Sequence, residues 1–276
     1  MHFLPTAIAF VAALALAPVL LRGLQQAGLV RANYREVALP VPLGVLIVPA
    51  ALVALVPVAL LARLADTDIY PDNIGLVMLF VPGIALLGLI DDVLSGASRG
   101  WRGHGAAVLT GNLSTGALKA VGTLGLALLV ASGLPGQEGD FLLAAGVLVL
   151  ATNVFNLIDL RPGRSIKALV ALCAGLLALT MDLDPLWALG LFLAPIVVLL
   201  PFDLRERAML GDTGSNAVGA VAGLWLVLAL STRAQAIALA LVAAASLYGE
   251  LRSISGLVDR TPWLRHLDSL GRISHA

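Results

Sequence analysis

Four stretches of the sequence hold residues that could do chemistry together. In "GLIDDVLSG", Asp91 and Asp92 are adjacent at the end of an apolar run. Neighbouring carboxylates repel, and near a membrane they are costly unless something positive stands beside them. A hard cation such as Mg²⁺ takes one or two carboxylates and shares its other positions with phosphates and water. In "TNVFNLIDLRPGR", Asn153, Asn156 and Asp159 are spaced three apart. On a helix that spacing keeps them within an arc of about 120°. In "AMLGDTGSNAVGAVAG", Gly211 and Gly214 bracket Asp212 and Thr213. Glycines let backbone approach a ligand closely, and N–H groups opening a helix favour anions. Lys119, in "GNLSTGALKA", adds a cation at the start of another apolar run.

Each stretch has a plainer reading. Asp91 and Asp92 could be a solvated helix end, although a helix C-terminus disfavours carboxylates. The two amides could tie neighbouring helices together. Arg161, Arg164 and Lys167 could be ordinary charges of a cytoplasmic loop or a phosphate clamp. Thr213 or Ser215 suits a helix N-cap. Ser215, Gly219 and Gly223 recur every fourth residue, which favours close helix packing over chemistry. Lys119 could snorkel to an interface.

The elements that must position these residues are membrane spans. The chain has 276 residues, of which 59% are hydrophobic and 12% charged, with a mean hydropathy of +0.98. Soluble domains are nearer half apolar and a quarter charged. The composition predicts an all-α polytopic membrane protein, one integral membrane domain over 1–276. Segments 3–21, 41–62, 74–90, 114–132, 141–158, 166–181, 186–202, 215–231 and 234–250 approach the length of a span. The first lacks a basic leader and reads as a retained span. A net charge of zero implies no nucleic-acid partner. The lone Cys173 lies in an apolar run and excludes disulfides and a thiolate metal site.

Basic residues give the orientation. With the N-terminus outside, fifteen of the seventeen Lys and Arg fall on the inner side, Arg99 and Arg102 among them, and only Arg63 and Arg233 outside. That places a tail of about 251–276 in the cytoplasm. Asp66, Asp68, Asp72, Glu138, Asp140, Asp182 and Asp184 fall in outer loops as solvated charges. Asp91, Asp92, Lys119, Asn153, Asn156, Asp159 and Asp212 then lie at inner ends of spans. Four carboxylates on one membrane face point to a metal–phosphate site beside the bilayer.

In the order and spacing of these residues the chain resembles the polyprenyl-phosphate N-acetylhexosamine-1-phosphate transferase family. An Asp-Asp ends the third span, a Lys lies in the next, "NxxNxxD" ends another and "GDTGS" opens a later one. The resemblance runs from about residue 22 to 231. It implies a bundle of about ten transmembrane helices in the plasma membrane with a cytoplasmic active-site cleft. It implies attack of a lipid phosphate on the β-phosphorus of a UDP-sugar, with Mg²⁺ (or Mn²⁺) required, and homodimers occur among members. Carried over by position, Asp212 matches the Mg²⁺ ligand. Asp91 and Asp92 match the acidic pair serving lipid-phosphate activation or metal support. Lys119 matches a Lys near the phosphates, and Asn156 and Asp159 match the polar pair beside metal and nucleotide.

The chain departs from the family pattern after Asp159. A second family Asp is replaced by Pro162, within "DLRPGR". The His-rich loop near the C-terminus is reduced to His266 and His275, a final span is missing, and "PxPxGG" survives only as Pro40 to Gly44. The expected catalytic set is Asp91, Asp92, Lys119 and Asp159. Asp212 and Asp92 are expected at the metal, and Asn153, Asn156, Arg161 and Arg164 at the substrates. The expected reaction transfers a sugar-1-phosphate from a nucleotide-sugar to a polyprenyl phosphate. The alternative is a non-catalytic relative that binds polyprenyl phosphate or a partner protein.

Overall fold

The structure, a computed structural model, describes residues 2–94, 114–134, 136 and 138–273. Arg99, Arg102 and His275, and the side chain of Glu138, lie outside the described residues.

The chain is almost wholly helical. Its elements are α1 (Leu4–Gln26), β1 (Val30–Ala32), β2 (Ala38–Pro40), a 3₁₀ turn (Leu43–Leu46), α2 (Ile47–Leu64), α3 (Ile74–Leu94), α4 (Thr115–Ser132), α5 (Glu138–Ile158), α6 (Arg164–Thr180), α7 (Asp184–Leu204), α8 (Gly211–Ala229), α9 (Thr232–Leu251), α10 (Ile254–Arg260) and α11 (Pro262–Ser269). Each expected span coincides with one of the helices α1 to α9. Among the described residues seven of these are long and apolar enough to cross a membrane: α1, α2 with its 3₁₀ turn, α3, α4, α5, α7 and α9. The chain is therefore an all-α, multi-pass membrane protein. At 17 residues, α6 is short for a span. The first two turns of α8 are Gly, Asp, Thr, Ser and Asn, which lowers its apolar character.

That weakly apolar helix is the centre of the bundle. Every residue of α8 from Thr213 to Val227 is buried. A helix buried on all sides needs neighbours all round, and α8 packs on α3, α5, α6, α7 and the 3₁₀ turn. Outside this centre, α1 packs on α2 and α7, α9 on α5, and α4 on α3 and α5. Outward side chains such as Val56, Val121 and Leu241 are exposed and apolar, as a lipid surrounding requires.

Small residues set the closeness of the central contacts. A Cβ added at Gly219 would stand 2.7 Å from the Thr152 Cα, so α8 and α5 meet backbone to backbone. The small residues at every fourth position therefore serve packing. Gly88 plays the same part on α3, where an added Cβ would collide with the Asp212 carbonyl. One turn beyond Gly88 come Asp91 and Asp92, so this contact brings the acidic pair to the start of α8.

The hairpin β1–β2 was not legible as strands. It pairs Val30 with Pro40, Arg31 with Leu39 and Ala32 with Ala38. Its turn is held by Asn33, whose Oδ1 accepts from the backbone N–H groups of Arg35 and Val37. Asn33 Nδ2 also donates to Glu206 at 2.9 Å, tying the hairpin to the loop before α8. Further on, the Met209 N–H donates to Pro40 O, and the N–H groups of Leu43 and Gly44 donate to the carbonyls of Met209 and Leu210. The "PVPLG" stretch thus runs along the approach to α8.

Candidate active site

Three helices meet through one ammonium group. Lys119 Nζ on α4 donates to Asp91 Oδ2 on α3 at 3.0 Å and to Asp212 Oδ2 on α8 at 2.7 Å. All three side chains are partly shielded, at 21%, 14% and 32% exposure. The arrangement follows from charge: two carboxylates brought together at low dielectric need a cation between them. Lys119 is one turn inside α4, beside the exposed Leu118 and Val121.

Asp92 is placed differently from Asp91. Its Oδ1 accepts from the Asp212 N–H at 3.0 Å, and its Oδ2 accepts from the Thr213 N–H at 2.8 Å and the Thr213 hydroxyl at 2.7 Å. Arg31 stands 3.6 Å from Oδ1 and donates to the Asp92 carbonyl at 3.0 Å. The carboxylate is 1% exposed, and both of its oxygens are engaged by these bonds. Asp92 was expected as a metal ligand and catalytic group. The structure places it beneath α8, capping orphan N–H groups from another helix. Gly211 permits this: its backbone is left-handed, with φ of +71°, and an added Cβ would press on Asp92 Oδ2 at 2.7 Å.

Asp212 joins this cluster to a cleft of about 470 Å³. Asn156, Asp159, Gly211, Asp212, Arg31 and Arg252 line it. Asn156 Oδ1 accepts from the Ser215 hydroxyl at 2.8 Å, which fixes the amide against α8. The Asp159 side chain makes no hydrogen bond or ion pair among the described residues, while its backbone N–H donates to Asn156 O. Loss of water, then the negative Asp203 and Asp212, push its carboxyl well above the usual carboxylate range, and Arg164 offsets this only in part.

The remaining expected substrate residues point elsewhere. Asn153 Nδ2 donates to Ser246 on α9 at 3.2 Å, an interhelical tie. Arg161 forms a fork on Asp259 at 3.1 and 2.9 Å and lies over the Tyr34 ring at 5.7 Å. Arg164 is buried, forks onto Asp268 at 2.8 and 3.0 Å, and reaches Ser255 at 3.1 Å. Arg272 forks onto the same Asp268 and donates to Pro162 O. Lys167 donates to the carbonyls of Leu267, Asp268 and Leu270 at the end of α11. The basic residues of "DLRPGR" and its neighbour thus hold the C-terminal helices, and Arg161 and Arg164 are not a phosphate clamp here. Burial would raise the Asp268 carboxyl, but the Arg164 and Arg272 guanidiniums outweigh it and hold it at about 2.

A larger cavity of about 720 Å³ lies at the opposite helix ends, near Ala131, Phe141 and Val227. Its Gln235 is spent on the carbonyls of Val227 and Leu230. The chemistry-bearing side chains gather at the smaller cleft.

Among the described residues no group of three or more His, Cys, Asp or Glu is placed to hold a metal ion. The carboxylates in the smaller cleft are those of Asp159 and Asp212. Two carboxylates suit Mg²⁺, which keeps its other positions for water and phosphate. The Asp159 carboxylate, half-buried and without a side-chain partner among the described residues, is the group a cation would relieve most.

Two residues of the site carry no motif in the sequence. Arg31 and Arg252 line the cleft from β1 and from the end of α9. No protein-family model matches the chain, and no curated protein matches it.

Proposed function

We propose that the chain transfers a sugar-1-phosphate from a nucleotide-sugar to a polyprenyl phosphate, giving a lipid-diphospho-sugar and a nucleoside monophosphate. The observation that carries this reading is the ammonium of Lys119 held between Asp91 and Asp212 beside a cleft. Phosphoryl transfer asks a protein to position two anions and neutralise charge more than to form bonds with them. Lys119 on a lipid-facing helix meets the phosphate of an acceptor that arrives through the bilayer. Asp91 fixes the direction of that ammonium. Asp92 positions the first turn of α8, and with it Asp212. Asn156, braced by Ser215, forms a polar wall of the cleft.

Asp212 and Asp159 are the residues that would hold Mg²⁺ or Mn²⁺. When bound, the cation supplies neutralisation of the donor diphosphate, whose charge would otherwise repel the acceptor. In this reading all nine helices α1 to α9 cross the plasma membrane, with the N-terminus outside and the cleft and tail in the cytoplasm. Undecaprenyl phosphate and a UDP-linked donor are the first substrates to try.

One observation favours a second reading. The loop after Asp159 is engaged with the C-terminal tail through Arg161, Pro162 and Arg164. A non-catalytic lipid-phosphate binder would tolerate that arrangement. Purified protein given undecaprenyl phosphate, Mg²⁺ and a panel of nucleotide-sugars separates the two. The transferase releases a nucleoside monophosphate and Asp212→Asn abolishes the release. Lipid binding without release from any donor leaves the second reading.

A further inference from the structure

The cleft beside Asp212 contains two opposing kinds of charge. Its lining holds the carboxylates of Asp159 and Asp212 and the guanidiniums of Arg31 and Arg252. Arg31 is held in place. One terminal nitrogen donates to the Asp92 carbonyl and the other stands 3.6 Å from the Asp92 carboxylate, which leaves other N–H groups of its fork unspent. The hairpin carrying Arg31 is anchored in turn by Asn33 on Glu206. Arg252 is the first residue after α9 and its backbone is extended. Its side chain is exposed, and it forms no hydrogen bond or ion pair among the described residues. The other arginines of this face that were expected to bind substrate, Arg161 and Arg164, both have carboxylate partners.

An uncommitted guanidinium lining a cleft calls for an anion. Phosphoryl groups match its planar fork, which binds two oxygens at once. A bare anion would meet repulsion from Asp159 and Asp212. An anion that brings its own divalent cation would not, because the cation faces the carboxylates while the outer oxygens face the guanidiniums. The cleft of about 470 Å³ is within the usual size for a small-molecule site.

We infer that Arg252, with Arg31, binds the diphosphate of a magnesium-complexed nucleoside diphosphate group, and so performs the donor recognition that Arg161 and Arg164 do not. This rests on the transferase reading and names a specificity residue for it. The acceptor phosphate has the same chemistry, but it is placed at Lys119, so Arg252 belongs to the soluble donor.

The test is equilibrium binding on the full chain purified in detergent, with UDP plus Mg²⁺ as one probe and undecaprenyl phosphate as the other. Arg252→Ala weakens UDP binding tenfold or more and Arg252→Lys weakens it less. Neither variant changes lipid-phosphate binding or the unfolding temperature. Undiminished UDP binding by Arg252→Ala overturns the inference and leaves the transferase reading standing if the wild type still releases nucleoside monophosphate. Loss of lipid binding alone overturns it by assigning Arg252 to the acceptor. A wild-type chain that binds no UDP overturns it together with the proposed UDP-linked donor.

Discussion

The ammonium of Lys119 lies 2.7 Å from the carboxylate of Asp212, across 93 residues of sequence. With Asp91 as its second partner, Lys119 ties α3, α4 and α8 at one point. Replacing it by Met leaves two carboxylates facing each other without a counter-charge and removes the cation that meets the acceptor. Lys119→Met should lower nucleoside monophosphate release by about 100-fold or more, the scale of losing one charge-stabilising group in a site. Initial rates at saturating donor check this.

Asp92 should behave unlike Asp212. It caps the N–H groups of Asp212 and Thr213, so Asp92→Asn replaces an acceptor oxygen by a donor NH₂ against them. The expected loss is about 1–2 kcal/mol of stability, as for other lost helix caps. Thermal unfolding in detergent should fall for Asp92→Asn and stay near wild type for Asp212→Asn, although both lose activity.

Much of this site was legible in the sequence because of where its charges lie. Asp91, Lys119 and Asp212 interrupt or end apolar runs, and a charge there has few inexpensive explanations. The close packing of Ser215, Gly219 and Gly223 was legible from their fourfold spacing for the same kind of reason. The division of labour between Asp91 and Asp92 was not. Adjacent residues on a helix differ by about 100° in direction, and which one meets α8 depends on tertiary approach. The pairing of Arg164 was not legible because its partner, Asp268, lies 104 positions away. A basic loop next to a span reads the same whether it meets phosphate or a tail. The hairpin was missed because three-residue strands leave almost no alternation to find.

The Arg164–Asp268 pair gives a prediction about the tail. Both side chains are under a tenth exposed. Breaking a buried pair by removing one partner typically costs about 3–5 kcal/mol. Asp268→Ala leaves Arg164 and Arg272 without their shared carboxylate, and α11 should detach. Limited proteolysis should then cut between α10 and α11 at protein concentrations where the wild type is resistant. Arg164→Lys should be only partly protective, since an ammonium cannot reproduce the two-oxygen fork.

The same pair sets a pH response. The Asp268 carboxyl is held at about 2 in the folded chain, below its ordinary value of 3.8. A depressed acid contributes stability above its unfolded value and loses it as pH falls towards the folded one. The tail should therefore stay docked from pH 7 to pH 5 and loosen as pH drops from about 4 towards 2. A spin label at Ser269 should show constant mobility over the first range and rising mobility over the second.

The central claim is that the cleft passes a phosphoryl-linked sugar to a lipid phosphate. A donor labelled with ³²P in its β-phosphate tests it most directly, with undecaprenyl phosphate as acceptor and Mg²⁺ present. The account predicts that the label moves into the lipid fraction in step with release of unlabelled nucleoside monophosphate, and that Asp212→Asn stops both. Label that stays with the nucleotide for every donor tried, or that moves equally well in Asp212→Asn, would contradict it.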